Sequence, residues 1–127
     1  MGEVTVSPAR RADLPRLTQI YNHYIETTPI TFDMKPHTVE GRARWFDEHS
    51  SAGRYRIVVA REGGEVVGYA SSGRFRAKEA YDTTVETSIY CAPEAVGRGI
   101  GTLLYRALFV ALAREDIHRL VAGITLP

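Results

Sequence analysis

The sequence predicts a mixed α+β domain, one mostly antiparallel sheet flanked by helices, on three observations. Runs with the two-residue period of strands and runs at the three-and-four spacing of helices follow one another in the order β-α-α-β-β-β-α-β. A glycine-rich turn leads from a strand into a helix and then another strand, the form of a single crossover. The 127 residues, 44% hydrophobic and 24% charged, suffice for one ordinary core, and no repeat or Pro/Gly/Ser linker divides them.

Residues 3–7 alternate as a strand, with Val4 and Val6 on one side. Asp13 followed by Pro15 reads as a helix cap and first turn. Leu14, Leu17, Tyr21 and Tyr24, flanked by Ile20 and Ile25, then form one helical face until Thr27, Thr28 and Pro29 stop it. After a loop carrying Ile30, Phe32 and Met34, Thr38 caps a second helix through Trp45 and Phe46 that ends before Gly53. Residues 57–60 and 66–72 form a hairpin around Glu62, Gly63, Gly64 and Glu65. A third β run covers residues 83–90. Gly97, Arg98, Gly99, Ile100 and Gly101 open a helix striped by Ile100, Leu103, Leu104, Ala107, Leu108 and Leu112, and a last strand covers 120–125.

Composition excludes several functions. Sixteen basic and fifteen acidic side chains leave a net charge of +1, so neither a nucleic-acid backbone nor a membrane surface is called for. The lone Cys91 makes no internal disulfide, and His23, His37, His49 and His118 lack ligand spacing, so no metal is expected. With no secretory or membrane-spanning stretch, the expected location is the cytoplasm.

The glycine turn is the most informative local feature. A strand, a glycine turn and a helix place unpaired backbone N–H groups and the positive helix end where a phosphate can sit. Gly101 followed by Thr102 lacks the Lys of a Walker loop. The dinucleotide fingerprint fails as well, with Thr102 where its third glycine belongs and Arg119, Leu120 and Val121 where an acidic residue is needed. From the turn alone, a phosphate cradle and a ligand-free turn are level.

Taken together, the segments 85–91 (VETSIYC) and 96–102 (VGRGIGT) resemble the acetyl-CoA-binding motif of the GNAT acetyltransferase superfamily. Residues 22–27 (NHYIET), 80–82 (AYD) and 123–127 (GITLP) are similar to its phosphinothricin N-acetyltransferase branch and the relatives that acetylate methionine sulfone and sulfoximine. The resemblance runs from Val4 to Pro127. It implies the GNAT acyl-CoA N-acyltransferase fold in one domain, residues 1–127. It also implies a further cofactor-touching Asn, helix and closing strands beyond Pro127, so the chain reads as a family member incomplete at its C-terminus. The last strand would then be an open edge; relatives in this branch resemble two-fold dimers, and a homodimer is expected.

The resemblance further implies site residues. Glu86 matches the family's base, and the strand period puts it on one face with Ser88 and Tyr90. The main chain of Ile89, Tyr90 and Cys91 would bind the pantetheine arm of acetyl-CoA, and Gly97, Arg98, Gly99, Ile100, Gly101 and Thr102 its pyrophosphate. Val96 stands where the family usually has Gln or Arg, with Arg98 expected to supply a cation. Phe32, Phe75, Arg76, Lys78 and Tyr81 would contact the substrate, the two cations suiting a carboxylate or phosphinate. Cys91 reads as a small buried side chain. The expected activity is direct acetyl transfer, in a ternary complex, to the α-amine of a small amino-acid analogue. Its rivals are another amine, such as a peptide terminus or polyamine, and a non-catalytic acyl-CoA-binding module.

Overall fold

A computed structural model describes residues 3–27, 37–50, 52–74, 84–113, 115 and 119–124. Strands β1 (Val4–Pro8), β2 (Ile57–Glu62), β3 (Glu65–Arg74), β4 (Thr84–Cys91) and β5 (Arg119–Ile124) and helices α1 (Leu14–Thr27), α2 (Val39–Asp47) and α3 (Ile100–Leu112) follow the predicted order. The strands lie side by side in sequence order. The first three pairings are antiparallel, and β4 and β5 are parallel, with α3 as the crossover between them.

Helices cover both faces, which is why Ile57, Val58, Val59 and Ala60 are buried in succession rather than alternately. On one face α3 inserts Ile100, Leu104, Leu108 and Leu112, each at most 3% exposed. Burial of each such side chain is worth about 1.5–3 kcal/mol. Here the backbone comes close: a methyl on Gly68 would stand 3.2 Å from Leu104 Cδ1 and 3.3 Å from the Tyr90 carbonyl oxygen. On the other face α1 buries Leu14, Leu17, Ile20 and Tyr24 and packs against α2. Ile20 thus takes the core position expected of Tyr21, which is half-buried at the helix flank.

The hairpin turns at Gly63 and Gly64, with φ of +60° and +84°, the left-handed pair that suits two-residue hairpins. Thr38 caps α2 by accepting from the Gly41 N–H at 2.9 Å. Asp13 departs from its expected role. It ends a single 3-10 turn (Arg11–Asp13) before α1, where its carboxylate accepts from the Arg10 N–H at 2.8 Å. It also accepts both arms of the Arg61 guanidinium, at 2.7 and 2.5 Å. This fork pins the start of α1 to the sheet.

Burial raises the Asp13 pKa, but the bonds from Arg61 and Arg10 outweigh it and hold the carboxyl below its ordinary 3.8. The folded value is the lower one, so the stabilisation is present above the ordinary value and is lost as pH falls through the folded value. Asp13→Ala, leaving Arg61 without its partner, should cost about 3 kcal/mol in urea unfolding at neutral pH. The cost should shrink in strong acid.

Candidate active site

The β3–β4 register places Tyr69 opposite Tyr90, Ser71 opposite Ser88 and Gly73 opposite Glu86. Opposed residues share a face. The intervening residues belong to the α3 face, where the Thr87 and Tyr105 hydroxyls lie 3.3 Å apart. Glu86, Ser88 and Tyr90 therefore face α1 and α2, as the strand period implies, and all three are half-buried. Ser71, Gly73 and Ser88 leave this face low between the tyrosine pair and Glu86.

Aromatic rings close the Tyr90 end. Tyr90 meets Tyr21, Tyr24 and Tyr69 at centroid distances of 5.3, 5.4 and 5.5 Å, and Tyr24 donates its hydroxyl to the Cys91 carbonyl at 2.6 Å. Burial pushes the Tyr24 and Tyr69 phenols and the Cys91 thiol up from their ordinary values. All three are uncharged at neutral pH, and Cys91 is no thiolate nucleophile.

Helix α2 lies over β3. Arg42, 6% exposed, is stacked between Trp45 at 3.7 Å and Tyr21 at 4.2 Å, and its Nη2 donates to the Tyr69 hydroxyl at 3.2 Å. One turn beyond Trp45, His49 has Nδ1 2.6 Å from the Trp45 carbonyl oxygen. A carbonyl only accepts, so Nδ1 carries the proton and neutral His49 presents a bare Nε2. That atom is buried without a hydrogen-bond partner, 4.0 Å from where a methyl on Gly73 would stand. Arg42 Nε is the other such atom among the described residues.

The glycine turn enters α3 with φ of +84° at Gly97 and +77° at Gly99. Gly99 is the helix N-cap, no side chain caps it, and the first turn holds no acidic residue. Among the described residues, no atom lies within 4 Å of where a methyl would stand on either glycine. The space beside both glycines is open among the described residues, and the first turn of α3 carries no carboxylate of its own to compete for its unpaired N–H groups. Arg98 is engaged elsewhere, held by both arms on Glu62 of the hairpin. The cation expected at the turn is thus shared with a carboxylate. Ile100 buries its side chain in the core, so only its main chain faces the turn.

The β4–β5 pairing runs from Thr84 opposite Arg119 to Ile89 opposite Ile124. Of the three residues expected to dock the pantetheine arm, Ile89 lies inside this pairing and only Tyr90 and Cys91 extend past it. Phe32, Phe75, Arg76, Lys78 and Tyr81 lie outside the described residues. Sequence reading missed Arg42 and His49. Their spacing with Trp45, at positions i, i+3 and i+7, is the only trace of a shared helix face.

A model of the acetyltransferase (GNAT) family matches residues 17–127. The chain belongs to that family. The N-acetyltransferase is 54% identical over 128 residues to the phosphinothricin N-acetyltransferase of Streptomyces coelicolor, covering 99% of this chain and 75% of that protein. It is 34% identical to the L-methionine sulfoximine/L-methionine sulfone acetyltransferase of Pseudomonas aeruginosa, over 94% of this chain and 70% of that one. A phosphinothricin acetyltransferase from Sinorhizobium meliloti, solved in complex with acetyl-CoA, superposes with a TM-score of 0.77 at 36% identity. That match covers 84% of this chain and 58% of the solved one. No described helix is long and apolar enough to cross a membrane, and no described group of three His, Cys, Asp or Glu could hold a metal ion.

Gly99→Ala forces a Cβ into left-handed backbone, costing about 1–2 kcal/mol. Titration calorimetry should show CoA binding weakened about tenfold. Burial lowers the His49 pKa below 6.5 despite the Trp45 carbonyl. Below that pH the unfolded chain takes the proton more readily, so stability should fall with pH from about 6.5 downward. His49→Gln should flatten this slope in pH-dependent urea unfolding.

Proposed function

We propose that this N-acetyltransferase moves the acetyl group of acetyl-CoA directly, within a ternary complex, to the α-amine of a small amino-acid analogue of the phosphinothricin, methionine sulfone or methionine sulfoximine kind. The observation that carries the reading is the placement of Glu86. A half-buried carboxylate stands on the low part of a sheet face, on the strand whose far end leads into the glycine turn. The names of the relatives support the acceptor class.

In this reading the N–H groups from Gly97 to Thr102 hold the pyrophosphate, and the main chain at Tyr90 and Cys91 receives the arm that ends in the thioester. Acetyl-CoA supplies the activated acyl group. Glu86 takes the proton that the attacking amine must lose, directly or through a water. Tyr90 is a wall of the site, since its ring is packed among three tyrosines. Arg76 and Lys78 meet the acceptor's anionic groups, with Phe32, Phe75 and Tyr81 around its carbon chain. The working unit is a homodimer in the cytoplasm.

The test is release of the CoA thiol from acetyl-CoA by the purified chain, with and without each of the three amines, beside Glu86→Gln. The variant should lose about 10²–10⁴-fold in kcat while binding CoA within twofold of the parent. Initial-rate lines should intersect, as a ternary complex requires, rather than run parallel. Saturable CoA binding without amine-dependent release would overturn the reading in favour of another acceptor or a non-catalytic acyl-CoA-binding module.

A further inference from the structure

We propose that Tyr24 is a positioning residue for the pantetheine arm of acetyl-CoA: its hydroxyl closes the Cys91 carbonyl and leaves the Cys91 N–H as the main-chain group that the arm meets. The inference rests on the acetyl-CoA reading above and narrows it to one group. Along an antiparallel ladder, successive residues turn their N–H and C=O alternately toward one neighbour and the other. The Ala92 N–H donates to the Val67 carbonyl at 2.8 Å, one step past Gly68 opposite Cys91 in the β3–β4 register. Ala92, Tyr90 and Ser88 therefore turn their main chain toward β3, and Cys91 and Ile89 turn theirs toward β5. Ile89 lies within the β4–β5 pairing, which ends there among the described residues. Of the three residues expected to dock the arm, Cys91 alone offers main-chain groups on the β5 side past that pairing.

Tyr24 reaches this place from α1. Its ring is buried, 1% exposed, and its hydroxyl donates to the Cys91 carbonyl at 2.6 Å. Burial pushes the phenol up from its ordinary 10.0, so it keeps the proton it donates. A carbonyl between two paired strands is satisfied by the neighbouring strand. This one is satisfied from a helix, and the phenol takes the acceptor that a continuing β5 would use. The Cys91–Ala92 peptide is thereby pinned at both ends, its carbonyl by Tyr24 and its N–H by Val67, just before Pro93. A ligand that adds like a strand ordinarily pairs with both groups of an edge residue. With the carbonyl closed, Cys91 presents a donor, and the arm must set a carbonyl oxygen against it rather than an amide N–H.

The experiment compares, by titration calorimetry, the binding of CoA and of adenosine 3′-phosphate 5′-diphosphate to the parent and to Tyr24→Phe. The second ligand keeps the pyrophosphate and lacks the arm. The substitution removes one oxygen and keeps the ring that meets His23 and Tyr90. The parent should bind CoA more tightly than the fragment. Tyr24→Phe should weaken CoA about tenfold, the worth of one hydrogen bond, and the fragment less than about twofold. Amide hydrogen exchange followed by NMR is the second readout: in the parent, CoA but not the fragment should slow the Cys91 N–H about tenfold. Both ligands weakened alike in a folded variant, CoA binding unchanged, a parent that binds the fragment as tightly as CoA, or a Cys91 amide that CoA does not protect would overturn the inference and leave the hydroxyl a tether for α1. If Tyr24→Phe does not fold, the exchange readout decides alone: selective protection supports, none overturns. A parent that binds neither ligand overturns the acetyl-CoA reading and this inference with it.

Discussion

The register of the β3–β4 pair is the constraint on which the rest depends. Side chains alternate strictly along a strand, so a one-residue slip of β4 would turn Glu86, Ser88 and Tyr90 into the α3 core and bring Val85, Thr87 and Ile89 under α1. The core forbids the slip. Val85 and Thr87 are fully buried and Ile89 nearly so, while Gly68 must remain small beneath Leu104. The packing that stabilises the α3 face thereby fixes which residues the opposite face presents. Specificity on one side of the sheet is a by-product of exclusion on the other.

The α1/α2 face is stabilised by different means. It carries four tyrosines, a tryptophan and a stacked arginine where a purely aliphatic layer would pack more simply. Rings with a polar tip pack as hydrophobes and still reach a partner, as Tyr24 does at the Cys91 carbonyl. Among the described residues Arg42 is held by faces of rings rather than by a carboxylate. The buried Arg61–Asp13 fork shows the opposite solution, a saturated pair that locks two elements and offers nothing to a ligand.

Much of this was legible in the sequence. Element order, the hairpin turn, the Thr38 cap and the face shared by Glu86, Ser88 and Tyr90 follow from local chemistry: periodicity, left-handed glycines and side-chain capping. What was not legible depends on tertiary partners. Asp13 reads as a cap because Asp before Pro is a common helix start, and only Arg61, 48 residues away, explains its other role. Tyr21 and Ile20 compete for one helical stripe, and the sheet rather than the pattern decides between them. Arg42 has no distinguishing signal in the sequence, and only the fold places Trp45, Tyr21 and Tyr69 around it. The expected substrate loop, Arg74 to Tyr81, falls outside the described residues from Phe75 onward and rests on the resemblance.

In the proposed reading, Val96 is compatible with phosphate binding at the glycine turn. Side-chain recognition of a phosphate needs a cation free to turn toward it, and Arg98 is committed at both arms to Glu62. Main-chain recognition needs only N–H groups aimed the same way with nothing in front of them. Left-handed backbone at Gly97 and Gly99 and a first helical turn without an acidic residue are compatible with that kind of recognition. Such a loop is specified by where glycine must be rather than by which polar side chain precedes it. In the proposed reading, the Glu62–Arg98 pair would serve the site indirectly, by tying the glycine turn to the hairpin before a ligand arrives. Part of the ordering cost that binding would impose on a loose loop is met in the folded protein itself.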